Sequence, residues 1–185
     1  MIPISKPFIG EEEKQAVLEV LESGYLVQGP RTAKLEEKFT QICHTKFAIA
    51  TSSGTTALHI ALLAHGIGPG DEVITSPFTF LASVTSILFT GAKPIFVDID
   101  EETFNIDPNL IEAAITPNTK AILPVHLYGQ PCNMNAIMAI AQKHNLAVIE
   151  DACQAVGAEY YGQRVGGFGS GCFSLSDTKN LMAGE

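Results

Sequence analysis

The sequence predicts an α/β protein with a mainly parallel sheet sandwiched by helices. Three observations carry that prediction. From Lys46 onward, short apolar runs alternate with helical runs. The strand-like runs are apolar throughout, as strands buried on both faces are. The helical runs between them are about ten residues long, which suits crossovers between parallel strands. At 185 residues, 46% hydrophobic and 17% charged, the chain can bury one sizeable core.

Residues 11–23 place Ala16, Val17, Val20 and Leu21 at helical spacing behind an acidic first turn, and Gly24 follows as a stop. Residues 24–30 form a loop bounded by glycines. Thr32 is the expected cap of a second helix over 33–43, with Leu35, Phe39 and Ile42 on its apolar face. Strands are expected over 47–50, 72–75, 94–97, 121–125, 147–150 and 172–175. Helices are expected over 55–65, 81–89, 109–115 and 133–144. In such a sheet the ligand sits at the carboxyl ends of the strands. The sequence shows no internal repeat, low-complexity tract or linker.

Composition narrows the function classes. A formal net charge of −9 argues against a nucleic-acid-binding surface, although a local basic patch could still hold an anion. The cysteines (Cys43, Cys132, Cys153, Cys172) match no zinc spacing, CxxC motif or disulfide framework, so reduced, mostly buried thiols are expected. The start, Met1 to Pro7, has no charged leader before an apolar core. The longest apolar stretch, 57–63, is interrupted by His59 and is too short to span a bilayer. A cytoplasmic protein without membrane or nucleic-acid partners is the expectation. Glu185 follows Met182-Ala183-Gly184 with no closing helix, so a C-terminally truncated fragment is also expected.

Several stretches fall at expected strand ends. Ser52-Ser53-Gly54-Thr55-Thr56 opens a helix, and two readings fit: an anion site of backbone N–H groups, or an ordinary hydroxyl cap. Thr75-Ser76-Pro77-Phe78-Thr79-Phe80 opens the next helix, and its aromatics either cover a flat ligand or join the core. The acidic run Asp98 to Glu102 has no histidine partner or calcium-loop spacing and reads as a solvated turn. His126, at another strand end, is read as structural or as lining the site, without a catalytic role. Asp151 closes an apolar strand, where a carboxylate is costly unless it meets a positive partner; an N-cap is the alternative. Gln154 would point to the same side if a helical turn follows.

The glycine-rich stretch 162–171 fails as a dinucleotide fingerprint. None of its glycines has partners at both i+2 and i+5, and it does not join a first strand to a helix. It reads as a turn into the last strand. Beyond it, Lys179 stands among small and hydroxyl residues. It is either a solvated surface lysine or an amine desolvated enough to attack a carbonyl.

Taken together, a helix-terminus anion site, an aromatic cover, a strand-end carboxylate and a late lysine suit pyridoxal 5'-phosphate. Its phosphate wants N–H and hydroxyl donors, its pyridine nitrogen a carboxylate, and its aldehyde an amine.

At these residues the chain resembles the DegT/StrS group of sugar aminotransferases, which are fold type I pyridoxal-phosphate enzymes. The most specific parts are Ser53 to Leu58, Val125 to Gly129, Glu150 to Ala155, and Phe173-Ser174 through Thr178-Lys179-Asn180. The likeness runs from Ile4-Ser5-Lys6-Pro7 to Gly184-Glu185. It implies that Lys179 holds the cofactor covalently, that Asp151 pairs with the pyridinium nitrogen, and that Gln154 lies near the ring hydroxyl. It implies a phosphate cradle of Gly54, Thr55, Thr56 and Ser174, with Phe80 stacked on the ring. Ser176-Asp177 departs from the family, whose members often carry an aromatic or histidine and then proline there.

The resemblance further implies amino transfer from an amino acid, usually glutamate, to a keto group of a nucleotide-linked sugar, in polysaccharide or amino-sugar biosynthesis. Residues 1–185 would be part of the cofactor-binding large domain, with a helical segment over about 1–45 and the small C-terminal domain absent. The full-length protein would be a homodimer. A sugar dehydratase on the same fold carries histidine where Lys179 stands, which counts against that reading. A protein that keeps the fold only to bind or regulate, or an inactive fragment, is the alternative. A nicotinamide enzyme fails for want of its glycine fingerprint.

Overall fold

In a computed structural model, which describes residues 6–183, the described residues form six helices, seven strands and one 3-10 turn. The leader and chain-end readings, which rest on residues 1–5 and 184–185, lie outside the described residues, as do the outermost residues of the resemblance. The elements are α1 (Glu11–Ser23), α2 (Pro30–Cys43), α3 (Gly54–Ala64), β1 (Glu72–Thr75), α4 (Leu81–Phe89), β2 (Lys93–Phe96), α5 (Pro108–Ala114), β3 (Thr119–Leu123), α6 (Met134–His144), β4 (Ala147–Asp151), β5 (Glu159–Tyr160), β6 (Gln163–Arg164) and β7 (Ser170–Cys172).

Five strands form one sheet in the order β2-β1-β3-β4-β7, and every pairing in it is parallel. β5 and β6 pair separately as a short antiparallel hairpin that the sequence reading did not include. Successive residues of each central strand feed opposite layers, as the two-residue strand period requires. Val73, Leu123 and Ile149 pack with Leu58 and Leu62 of α3 and Ile87 of α4. Ile74, Ile122 and Val148 pack with Ile111 of α5 and Met134 and Ile137 of α6. Side chains buried this completely contribute roughly 2 kcal/mol each. The sheet is therefore covered on both faces, which explains its uninterrupted apolar runs.

Several expected boundaries shift by one to three residues. The second helix begins at Pro30, not behind Thr32: Gly29 is the N-cap, and a proline in the first turn gives up no helical hydrogen bond. Ser53 caps α3, its side chain accepting the Thr56 N–H, and Asn133 caps α6 by accepting from Ala136. The last strand is Ser170–Cys172, earlier than the expected 172–175. Residues 47–50 stay outside any ladder among the described residues, with Phe47 and Ile49 exposed. A cleft of about 660 Å3, lined by Phe47 and Ile49 on one side and Ser170 and Cys172 on the other, separates that segment from edge strand β7. The helix α1 is amphipathic as expected, but none of its residues is buried, and Val17 and Leu21 face solvent.

The acidic run is a closed turn. Asp100 Oδ1 accepts the N–H of Thr103 at 2.8 Å and the Thr103 hydroxyl at 2.9 Å. These bonds hold the Asp100 carboxyl below its usual range.

Candidate active site at the carboxyl end of the sheet

The C-terminal ends of the strands gather the residues singled out above. β4 ends on Asp151, whose backbone N–H and carbonyl are both held by the segment that follows β3. Its N–H donates to Pro124 O at 2.9 Å, and its carbonyl accepts from His126 N at 3.0 Å. By strand alternation its side chain turns toward the α3–α4 layer. There Oδ2 accepts the Ser83 hydroxyl at 2.6 Å, and Oδ1 accepts the Cys153 N–H at 3.2 Å. Ser83 is fully buried, and its oxygen also meets Thr79 Oγ1 at 2.7 Å. The sequence reading asked for a cation beside Asp151; the chain's own partner is a serine hydroxyl. A serine facing inward from the apolar helix Leu81–Phe89 was the available signal.

Gly54 begins α3 at closest approach to the arm that follows β7. A Cβ on it would stand 2.9 Å from both Cys153 Sγ and Ser174 Cβ. The N–H groups of Gly54 and Thr55 open the helix, where an α-helix supplies no acceptor of its own. The Thr56 N–H is taken by Ser53 Oγ at 3.1 Å, and Thr56 Oγ1 lies 2.9 Å from the same serine and 3.1 Å from Ser52 Oγ. The Thr56 amide is thus spent on the cap, and its hydroxyl is shared with Ser52 and Ser53.

Lys179 is half-buried in a turn whose backbone N–H donates to Ser176 O at 3.0 Å. The next residue, Asn180, anchors the turn through Nδ2 to Val156 O at 2.9 Å. The Lys179 ammonium lies 5.8 Å from the centroid of the Phe80 ring, which is 66% exposed at the start of α4. Burial pushes the Cys153 thiol up, and the Asp151 charge adds to it. The Lys179 charge works the other way, so thiol, carboxylate and ammonium share one neighbourhood. Gln154 Oε1 accepts the Tyr128 N–H at 2.9 Å, which ties its side chain to the loop after β3. Tyr128 has φ +52° and is 82% exposed.

The neighbouring carboxylate, Glu150, is fully buried on the opposite face. Burial alone would raise its pKa. The His126 hydrogen bond and the Gly166 and Gly169 N–H groups outweigh that and hold it below the ordinary 4.5. A depressed folded value means that Glu150 stabilises the fold above pH 4.5, and that this contribution is lost as pH falls through the folded value. His126, Cys132, Cys43 and Cys172 are the titratable groups that interact with it. The melting temperature of the wild type is expected to exceed that of Glu150→Gln above pH 4.5. The gap should narrow as pH falls further, and a constant gap would contradict an ionised Glu150.

A parallel sheet that brings a buried carboxylate, a helix N-terminus and a lysine over an aromatic ring to one end is the architecture of the pyridoxal-phosphate-dependent aminotransferases, and solved members superpose on this chain. The aminotransferase from Psychrobacter cryohalolentis matches with a TM-score of 0.93 at 46% identity, over 97% of this chain and 47% of that one. The sugar aminotransferase Spr1654 from Streptococcus pneumoniae, solved in PLP and PMP forms, matches with a TM-score of 0.94 at 34% identity, over 98% of this chain and 50% of that one. The chain belongs to the DegT/DnrJ/EryC1/StrS aminotransferase family, whose model matches residues 7–185. It is 52% identical over 185 residues to the spore coat polysaccharide biosynthesis protein SpsC of Bacillus subtilis (strain 168), covering all of this chain and 48% of SpsC. It thus spans about half the length of the relatives it matches.

Proposed function

We propose that the protein binds pyridoxal 5'-phosphate at this strand end and moves an amino group from glutamate to a keto group of a nucleotide-linked sugar. The observation that carries the reading is the convergence of Lys179, Phe80, Asp151 and the start of α3 from four separate segments. The residues suit the cofactor. Gly54 leaves open the room that a Cβ would fill beside Ser174, and N–H groups, hydroxyls, a carboxylate and an amine are the donor set it requires. Bound there, the cofactor supplies an electron sink for the pair released at the donor's α-carbon.

The chain's residues do the rest. Gly54 and Thr55 N–H groups, with the Thr56 and Ser174 hydroxyls, would hold the phosphate at the positive end of α3. Asp151, oriented by Ser83, would keep a proton on the pyridine nitrogen. Phe80 would cover one ring face and limit water. Lys179 Nζ would hold the aldehyde and, as a free amine, would carry the proton away from the donor's α-carbon. Gln154, whose Oε1 accepts the Tyr128 N–H, would stand near the ring hydroxyl. The SpsC name supports a role in polysaccharide or amino-sugar biosynthesis. We read the whole protein as a cytoplasmic homodimer; no described helix is long and apolar enough to cross a membrane.

The test is spectroscopic. On adding glutamate to the cofactor-loaded protein, its visible band should fall, the shorter-wavelength pyridoxamine form should rise, and one 2-oxoglutarate should appear per site. A nucleotide-linked keto sugar should then restore the band. A visible band indifferent to glutamate and every other amino acid would overturn the reading.

A further inference from the structure

Glu150 stands beside the proposed site but faces away from it, since β4 turns successive side chains to opposite layers. Oε1 accepts the N–H groups of Phe168 at 2.9 Å and Gly169 at 2.8 Å. Oε2 accepts Gly166 N–H at 2.8 Å and lies 3.2 Å from His126 Nε2. His126 Nδ1 accepts the Cys132 N–H at 3.1 Å, so the proton of a neutral ring sits on Nε2, toward the carboxylate. One side chain thus joins the end of β3 to the turn that precedes β7.

That turn lies flat against the sheet through its backbone. A Cβ on Gly169 would collide with the Val148 carbonyl, and one on Gly171 with the backbone of Gly166. The placement of the turn sets the course of β7 and of the arm beyond it. β7 pairs with β4 at only three positions, Ile149↔Ser170, Glu150↔Gly171 and Asp151↔Cys172. A ladder this short specifies register weakly, and a slip of one residue would turn Ser174 and the arm beyond it to the opposite face.

We propose that Glu150 is a positioning residue whose carboxylate clamps the 166–169 turn to the end of β4. The clamp fixes the register that sets Ser174 against Gly54 and brings Lys179 to the strand end bearing Asp151. The inference rests on the reading that pyridoxal phosphate binds there.

The test titrates the protein, expressed at its natural length, with pyridoxal phosphate. Glu150→Gln keeps the shape but sets an amide N–H against the donors of Gly166 or His126. His126→Gln keeps a side-chain N–H within reach of Glu150, whereas His126→Asn is too short to deliver one. Glu150→Gln and His126→Asn should each weaken cofactor binding about tenfold or more and lower the visible band at saturation. His126→Gln should stay within about threefold of wild type. Without cofactor, the Gly166, Phe168 and Gly169 amides should exchange faster in Glu150→Gln. A merely structural role would lower the melting temperature and leave the saturated spectrum unmoved. Should Glu150→Gln fail to fold, the His126 pair decides alone. Unchanged affinity and band in both disruptive variants, with wild type binding normally, would overturn the clamp. A wild type that takes up no cofactor would instead overturn the proposed function beneath it.

Discussion

Replacing Lys179 by alanine is expected to abolish the visible cofactor band and to lower amino transfer by about 10³-fold. Two tasks fall on one nitrogen in the proposed reaction, anchoring the aldehyde and moving the α-proton, and alanine removes both. The side chain is half-buried, with Nζ 5.8 Å from the centroid of the Phe80 ring. The turn around it is held by main-chain bonds and by Asn180, none of which uses the Lys179 ammonium. The variant should therefore fold as wild type and still bind the cofactor reversibly through the phosphate cradle. A variant that kept the band and the rate would place the chemistry on another residue.

The second large effect is expected at Asp151. Asparagine keeps the shape and can still accept the Ser83 hydroxyl, but it carries no charge to hold a proton on the pyridine nitrogen. Amino transfer should fall by about 10²- to 10³-fold, while cofactor affinity falls less. Steady-state rates against binding titrations separate the two. Equal losses in both would make Asp151 a binding group only.

Asp151 and Glu150 show how adjacent carboxylates divide their duties. Strand alternation turns one toward α4 and the other toward the turn before β7. Asp151 meets a hydroxyl and one N–H, which leaves it capacity for a partner. Glu150 meets three backbone N–H groups and a histidine, which satisfies it completely. Apolar periodicity placed the strands and helices well because both faces of the sheet are buried. Residues 54–56, Asp151 and Lys179 stood out because their types are unusual after apolar strands.

What stayed illegible was pairing across the chain. Ser83 sits in an otherwise apolar helix, and nothing in its neighbours names Asp151 as its partner. The glycines at 166, 167, 169 and 171 read as a turn, yet backbone amides of that turn serve a buried carboxylate brought close only by the β4–β7 pairing. Residues 47–50 have the composition of a strand, but a strand also needs a partner, and a local pattern cannot supply one. Thr32 offers a hydroxyl of the kind that caps helices, but Gly29 is the N-cap and Pro30 opens the first turn, where its missing N–H costs no helical bond.

Covalent capture of the cofactor by one particular amine underlies the whole proposed reaction. Reduction of the pyridoxal-phosphate-loaded protein with borohydride, then proteolysis and mass mapping, reads that capture directly. A phosphopyridoxyl group on Lys179, at one per chain and absent from the other lysines, is the predicted result. A label on a different lysine, or a protein that loses its cofactor unlabelled, would contradict it.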